Sequence, residues 1–137
     1  MDIQKMIRKY QEEGLNQELA LARVCQDIIL KAISESTLNR NVTIKGGVVM
    51  RSLTNNSRRA TKDIDLDLIH YPLHEEMIER FVERLDCLQE GKLNLVGNIE
   101  ELKHQDYHGK RIYIQITDNS GYSVVSKMDI GVHKHLN

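Results

Sequence analysis

Apolar residues recur at helical spacing through the first third of the chain and at alternate positions through the last third. Ile3, Met6, Ile7 and Tyr10 stand at i, i+3, i+4 and i+7, which predicts a short amphipathic helix that Gly14 stops. A longer helix follows, with Leu15, Leu19, Ala22, Gln26, Ile29 and Ile33 on one stripe, widened by Leu21, Val24, Ile28 and Ala32. It runs into the polar cluster 34–37 and a loop at 39–41. Residues 42–45 read as a strand. Val48, Val49 and Leu53 give the next segment an apolar helical side, and the composition of 54–57 is that of a turn. Then Asp63, Asp65 and Asp67 alternate with Ile64, Leu66 and Leu68, the signature of a half-buried strand.

Leu73, Met77, Phe81, Leu85 and Leu88 define a further helix, with Glu75 and Glu76 suited to its first turn and Gly91 a candidate C-terminal cap. Beyond Gly91 the period changes to two. Residues 93–103 form a looser strand interrupted at Gly97. Ile112, Ile114 and Ile116 alternate cleanly with Arg111, Tyr113, Gln115 and Thr117. The turn 118–121 and the return strand 122–132 make a hairpin, with Met128, Ile130 and Val132 on one face and Lys127, Asp129 and Gly131 on the other.

Composition narrows the class. At 137 residues, 40% hydrophobic and 28% charged, the chain is expected to be one globular domain. A net charge of −1 excludes nucleic-acid binding by bulk charge, so any such contact needs a local basic patch. Two cysteines, Cys25 and Cys87, are too few for a disulfide framework, and Cys25 reads as a small core residue. No apolar run approaches the roughly 20 residues of a membrane span, so no membrane partner is expected and the cytoplasm is the expected location.

The candidate chemistry lies between residues 44 and 68. Gly46 and Gly47 end the first strand, and paired glycines let a ligand approach bare backbone; a helix starting there would offer free N–H groups to phosphate. Asp63 and Asp65 leave the same face of the second strand. Two carboxylates about 6 Å apart repel by about 3 kcal/mol at an effective dielectric of 20, a cost that a divalent cation turns into attraction. Phosphate-binding glycines beside paired carboxylates are what metal-assisted phosphoryl or nucleotidyl transfer requires. Arg58 and Arg59 are either solvated loop residues balancing nearby aspartates or phosphate contacts, and Lys45 either closes a strand or touches phosphate. Asp129, taken alone, reads as a surface acid paired with Lys127.

Lys45-Gly46-Gly47, Arg51, the run from Arg59 through Thr61, Asp63, Ile64, Asp65 and Leu66 to Asp67 and Leu68, and Met128-Asp129-Ile130-Gly131 together resemble the AbiEii/AbiGii toxin group of nucleotidyltransferases, within the DNA polymerase β-like superfamily. That resemblance spans roughly residues 15–133. It implies an α+β fold with a mixed or antiparallel nucleotidyltransferase-type sheet, helices packed mainly on one face, and an N-terminal helical pair. It implies that Asp63, Asp65 and Asp129 hold Mg²⁺ or Mn²⁺ and are catalytic, and that Gly46, Gly47, Lys45 and Arg59 bind a nucleoside triphosphate. A nucleoside monophosphate would pass to an RNA, tRNA or protein hydroxyl, and an antitoxin protein would neutralise the toxin. Val48 departs from the pattern, since relatives often carry Ser or Thr after the glycines. Members also usually continue into a helical second half, whereas this sequence, read as a helical segment 1–40 and a catalytic core 41–137, stops at Asn137. The competing readings are a non-catalytic nucleotide- or partner-binding module and a plain structural domain.

Overall fold

Helix α1 (Ile3–Glu12) starts where the Asp2 carboxylate accepts the Lys5 N–H at 3.1 Å, and α2 (Gln17–Glu35) where the Asn16 side chain accepts the Leu19 N–H at 2.8 Å. Between them Gly14 takes φ +108, a left-handed conformation that ends α1 at low steric cost, as its position predicts. The computed structural model describes residues 1–36, 42–45, 64–68, 74–104 and 107–132, with side chains described outside 42–45, 64–68, 103–104, 107–108 and 132. The helical segment predicted after Gly47 lies outside them. Within them follow β1 (Val42–Lys45), β2 (Ile64–Leu68), α3 (Glu75–Leu85), β3 (Gly91–His104), β4 (Tyr107–Asp118) and β5 (Ser123–Val132).

The five strands form one sheet in the order β1-β2-β5-β4-β3. β2 runs parallel to β5, and every other neighbouring pair is antiparallel. The fold is thus α+β with a mixed sheet. Alternation along β4 and β5 gives the sheet two faces of different character. Ile112, Ile114, Ile116, Met128 and Ile130 are fully buried and share a core with Ile3, Ile29, Ile78, Phe81 and Leu85 from the three helices. Burying each such side chain contributes about 2–3 kcal/mol before entropy is counted. The intervening residues Arg111, Tyr113, Gln115, Thr117, Lys127 and Asp129 are half-buried and Val125 is exposed.

Two details depart from the expectations. The buried arc of α2 is broader than one stripe and takes in Ala20, Arg23 and Cys25, while Leu15 and Leu19 stay half-exposed. The helix is clasped by α1 on one side and by β5 and α3 on another, so more than one face is covered. The buried Arg23 lies over the Tyr10 ring, 5.2 Å from its centroid, and the Tyr10 hydroxyl donates to Asp27. Gly91 does not cap a helix. α3 ends at Leu85 with Asp86 as its C-cap, and the Asp86 carboxylate accepts the Leu93 N–H at 2.9 Å, tying the helix end to β3. Gly91 opens that strand, where an added Cβ would stand 2.6 Å from the Thr117 carbonyl oxygen. Cys25 is buried, as read, and burial pushes its thiol up to about 11, against the opposing pull of a hydrogen bond with Ser126. Among the described residues no helix is long and apolar enough to cross a membrane.

The hairpin is closed by Asp118. Its Oδ1 accepts the Ser120 N–H at 2.9 Å, the Ser120 hydroxyl at 2.6 Å and the Tyr122 N–H at 3.1 Å, and its Oδ2 accepts the Ile3 N–H at 3.0 Å. One carboxylate therefore sets a turn and moors the start of α1. The Ser120 hydroxyl first, and then the backbone donors, hold the Asp118 carboxyl down at about 2, from an ordinary 3.8. Because the folded value lies below the unfolded one, this stabilisation is complete above about pH 4 and fades as the pH falls toward 2. Asp118→Ala is expected to lower the melting temperature by several degrees at pH 7. In calorimetric melts repeated from pH 5 down to pH 2 the gap between variant and wild type should narrow. The thiols offer a second check. Cys87, which is exposed, should react first with a thiol reagent at pH 8, and Cys25 only on unfolding.

Candidate active site

Strand pairing decides which charged residues meet. Lys45 is the Cα partner of Asp65 across β1 and β2, and Asp65 is the partner of Asp129 across the parallel pair β2 and β5. Asp129 is in turn the partner of Arg111 across β5 and β4, and Arg111 of Glu100 across β4 and β3. A row of five ionisable residues thus crosses the whole sheet, in the order Lys45, Asp65, Asp129, Arg111, Glu100. Two acids lie side by side near its middle, and a basic residue flanks them on each side.

The described side chains give this row its geometry. Arg111 Nε donates to Asp129 Oδ1 at 2.7 Å and its Nη2 donates to Oδ2 at 3.1 Å, a two-pronged pairing that fixes the plane of the carboxylate. The pair is shielded, with Asp129 16% and Arg111 29% exposed, so it is worth about 1–2 kcal/mol, more than an open surface bridge. Arg111, rather than a residue on its own strand, thus supplies the two-pronged partner of Asp129. Lys127 pairs in register with Tyr113, one row further along the sheet, and opposite-strand neighbours lie closer than residues two apart on one strand. At the end of the row Glu100 accepts the Tyr113 hydroxyl at 3.1 Å.

A bulge puts Glu100 in this place. Between Val96 and Glu100 β3 carries three residues, 97–99, while β4 has only Ile112 between Tyr113 and Arg111. Gly97 accommodates the irregularity at φ +70, a conformation that costs other residues more. In an unbroken ladder Asn98 would oppose Arg111, and no second carboxylate would stand beside the guanidinium.

Of the residues singled out from sequence, Asp129 is placed with its side chain, and Lys45 and Asp65 by the backbone register of their strands. Gly46, Gly47, Arg59 and Asp63 lie outside the described residues. Asp67, two positions beyond Asp65, pairs with Gly131 and not with an acid. Arg111 and Glu100 were not recognised as site residues from sequence. Arg111 was nevertheless within reach of it, since counting six residues outward on each strand from the Thr117–Ser123 pair at the turn arrives at Arg111 and Asp129. Glu100 was not, because its position depends on the bulge.

Comparison with known proteins bears on the same stretch. The model of the nucleotidyl transferase AbiEii toxin family, a type IV toxin–antitoxin system, matches residues 28–136. No curated protein matches the chain. The matched span includes both aspartates of the row and the glycine pair that precedes them, and it covers well over half of the 137 residues. The chain belongs to the AbiEii nucleotidyl transferase toxin family.

Proposed function

We propose that this chain carries the catalytic acids of a metal-dependent nucleotidyltransferase, which moves a nucleoside monophosphate from a nucleoside triphosphate to a hydroxyl of RNA (tRNA included) or protein, and whose toxicity an antitoxin protein restrains. The observation that carries the reading is the register of β2 against β5, which sets Asp65 and Asp129 at directly paired positions within the family-matched span. Paired positions on neighbouring strands share a face of a sheet and lie about 5 Å apart. At that distance two carboxylates repel by about 3 kcal/mol at an effective dielectric of 20, an arrangement suited to binding a cation.

The donor set fits a hard divalent ion. Asp63, Asp65 and Asp129 offer carboxylate oxygen alone, the preference of Mg²⁺ and Mn²⁺. When bound, such an ion supplies neutralisation of the triphosphate charge and makes the acceptor hydroxyl more acidic. The chain supplies the rest. Gly46 and Gly47 offer backbone N–H groups to the phosphate oxygens, with Arg59 and Lys45 as the cationic contacts. Asp129 draws the proton from the acceptor hydroxyl, its oxygen attacks the α-phosphorus, and pyrophosphate leaves. Positioning and charge neutralisation account for most of the rate.

The test is label transfer. The protein is incubated with each of the four α-labelled triphosphates, Mg²⁺ or Mn²⁺, and either total RNA or a protein extract. Label is expected in an acceptor with one or more triphosphates, lost on addition of EDTA, and lowered about a thousandfold or more by Asp65→Asn or Asp129→Asn. Arg59→Ala should mainly raise the KM for triphosphate, by about tenfold. Folded protein that binds triphosphate with Mg²⁺ yet labels nothing would favour a nucleotide-binding module without catalysis.

A further inference from the structure

We infer that Arg111 is a positioning residue for the third catalytic acid, holding the Asp129 carboxylate oriented and charge-balanced until a divalent cation arrives and then transferring to Glu100. The inference rests on the catalytic reading above. Three observations support it. Both oxygens of Asp129 are engaged by the Arg111 fork, at 2.7 and 3.1 Å, so the carboxylate cannot serve a cation with its lone pairs and charge undiminished while the fork stays closed. Glu100 is the register partner of Arg111 on its other side, so the guanidinium has carboxylates on both neighbouring strands. Glu100 is exposed and accepts the Tyr113 hydroxyl at 3.1 Å, a neutral-donor bond weaker than the charge-assisted one that Arg111 offers.

The physics is a competition between cations for one acid. Without the ion, the fork offsets the repulsion between the neighbouring positions Asp65 and Asp129 and keeps the carboxylate plane fixed. With the ion, a guanidinium left on Asp129 would face a second positive charge a few ångströms away. A short move along the row to Glu100 relieves that repulsion without leaving either cation unpaired. The bulge at Gly97 therefore has a purpose in this scheme, because it is what brings Glu100 opposite Arg111.

Mn²⁺ titrated into EDTA-stripped protein without nucleotide, at low ionic strength and followed by electron paramagnetic resonance, reads the competition directly. Arg111→Gln is expected to tighten Mn²⁺ binding about tenfold. Arg111→Lys, which keeps the charge but loses the fork, should tighten it only about threefold. Glu100→Gln should do the opposite and weaken Mn²⁺ binding about threefold, by removing the carboxylate to which Arg111 would transfer. In the transfer assay Arg111→Gln should lower the metal concentration needed for half-maximal rate while also lowering kcat, because Asp129 is no longer oriented. Glu100 is exposed, so its variant carries the test if Arg111→Gln does not fold. Mn²⁺ binding that Asp129→Asn abolishes but that neither Arg111→Gln nor Glu100→Gln alters overturns this inference and leaves the catalytic reading standing. If wild-type protein shows no Asp129-dependent Mn²⁺ binding, both are overturned.

Discussion

Everything proposed for this protein depends on strand register, and on the β4–β5 side the register is set at the turn by Asp118. Its carboxylate gathers three donors within the turn and one from the first residue of α1. A one-residue slip would place Arg111 opposite a different residue and turn the alternating pattern of one strand over against the other. Both strands bury one face completely, so such a slip would drive Arg111 or Lys127 toward the core and expose Met128 or Ile130. The turn and the buried face therefore enforce the same answer, and the pairing of Arg111 with Asp129 follows from it.

The helices serve the site indirectly. By covering the isoleucine face they make alternation along β4 and β5 energetically binding, which in turn fixes the face that carries Arg111 and Asp129. The parallel neighbour β2 then adds Asp65 beside Asp129. An acid on each of two adjacent strands is unfavourable in isolation, by about 3 kcal/mol before screening. Arg111, forked onto Asp129, reduces that cost within the same row, and Lys45 holds the register position on the other flank. The chain's small net charge of −1 does not reveal this local order, in which two bases and three acids share one line of the sheet.

Much of this was legible in the residues. The strand at 42–45, the two N-terminal helices, the Gly97 irregularity and the final hairpin all follow from periodicity and turn chemistry, because each is decided by neighbours close in sequence. Gly91 was misread because a glycine after a helical stripe suits a cap, and nothing local shows that Asp86 has already ended the helix and engaged Leu93. The breadth of the α2 core was likewise invisible. Arg23 is a poor core residue by composition, and its place over Tyr10, on another helix, has no signal in the local sequence. Of the row, Lys45, Asp65 and Asp129 were singled out from motif and resemblance, whereas Arg111 and Glu100 were not. Arg111 emerges only when register is counted out from the turn, and Glu100 only when a two-residue excess in β3 is known.

That difference has a physical meaning beyond prediction. Residues that a motif reveals are those whose chemistry demands a fixed local spacing, such as two acids on one strand or two glycines in one turn. Residues such as Arg111 and Glu100 act across strands, where spacing in sequence carries no constraint and only the fold brings the charges together. The row also carries counter-charge of its own for the Asp129 carboxylate. Small domains that gather ligands with no internal counter-charge commonly need the ion in order to fold. Here Asp129 is already paired with a guanidinium, and the core is supplied by isoleucines on the opposite face, so neither of these contacts draws on an ion. In the mechanism we propose, a cation would therefore meet an acid pair that is already folded, with its affinity set by how strongly Arg111 competes.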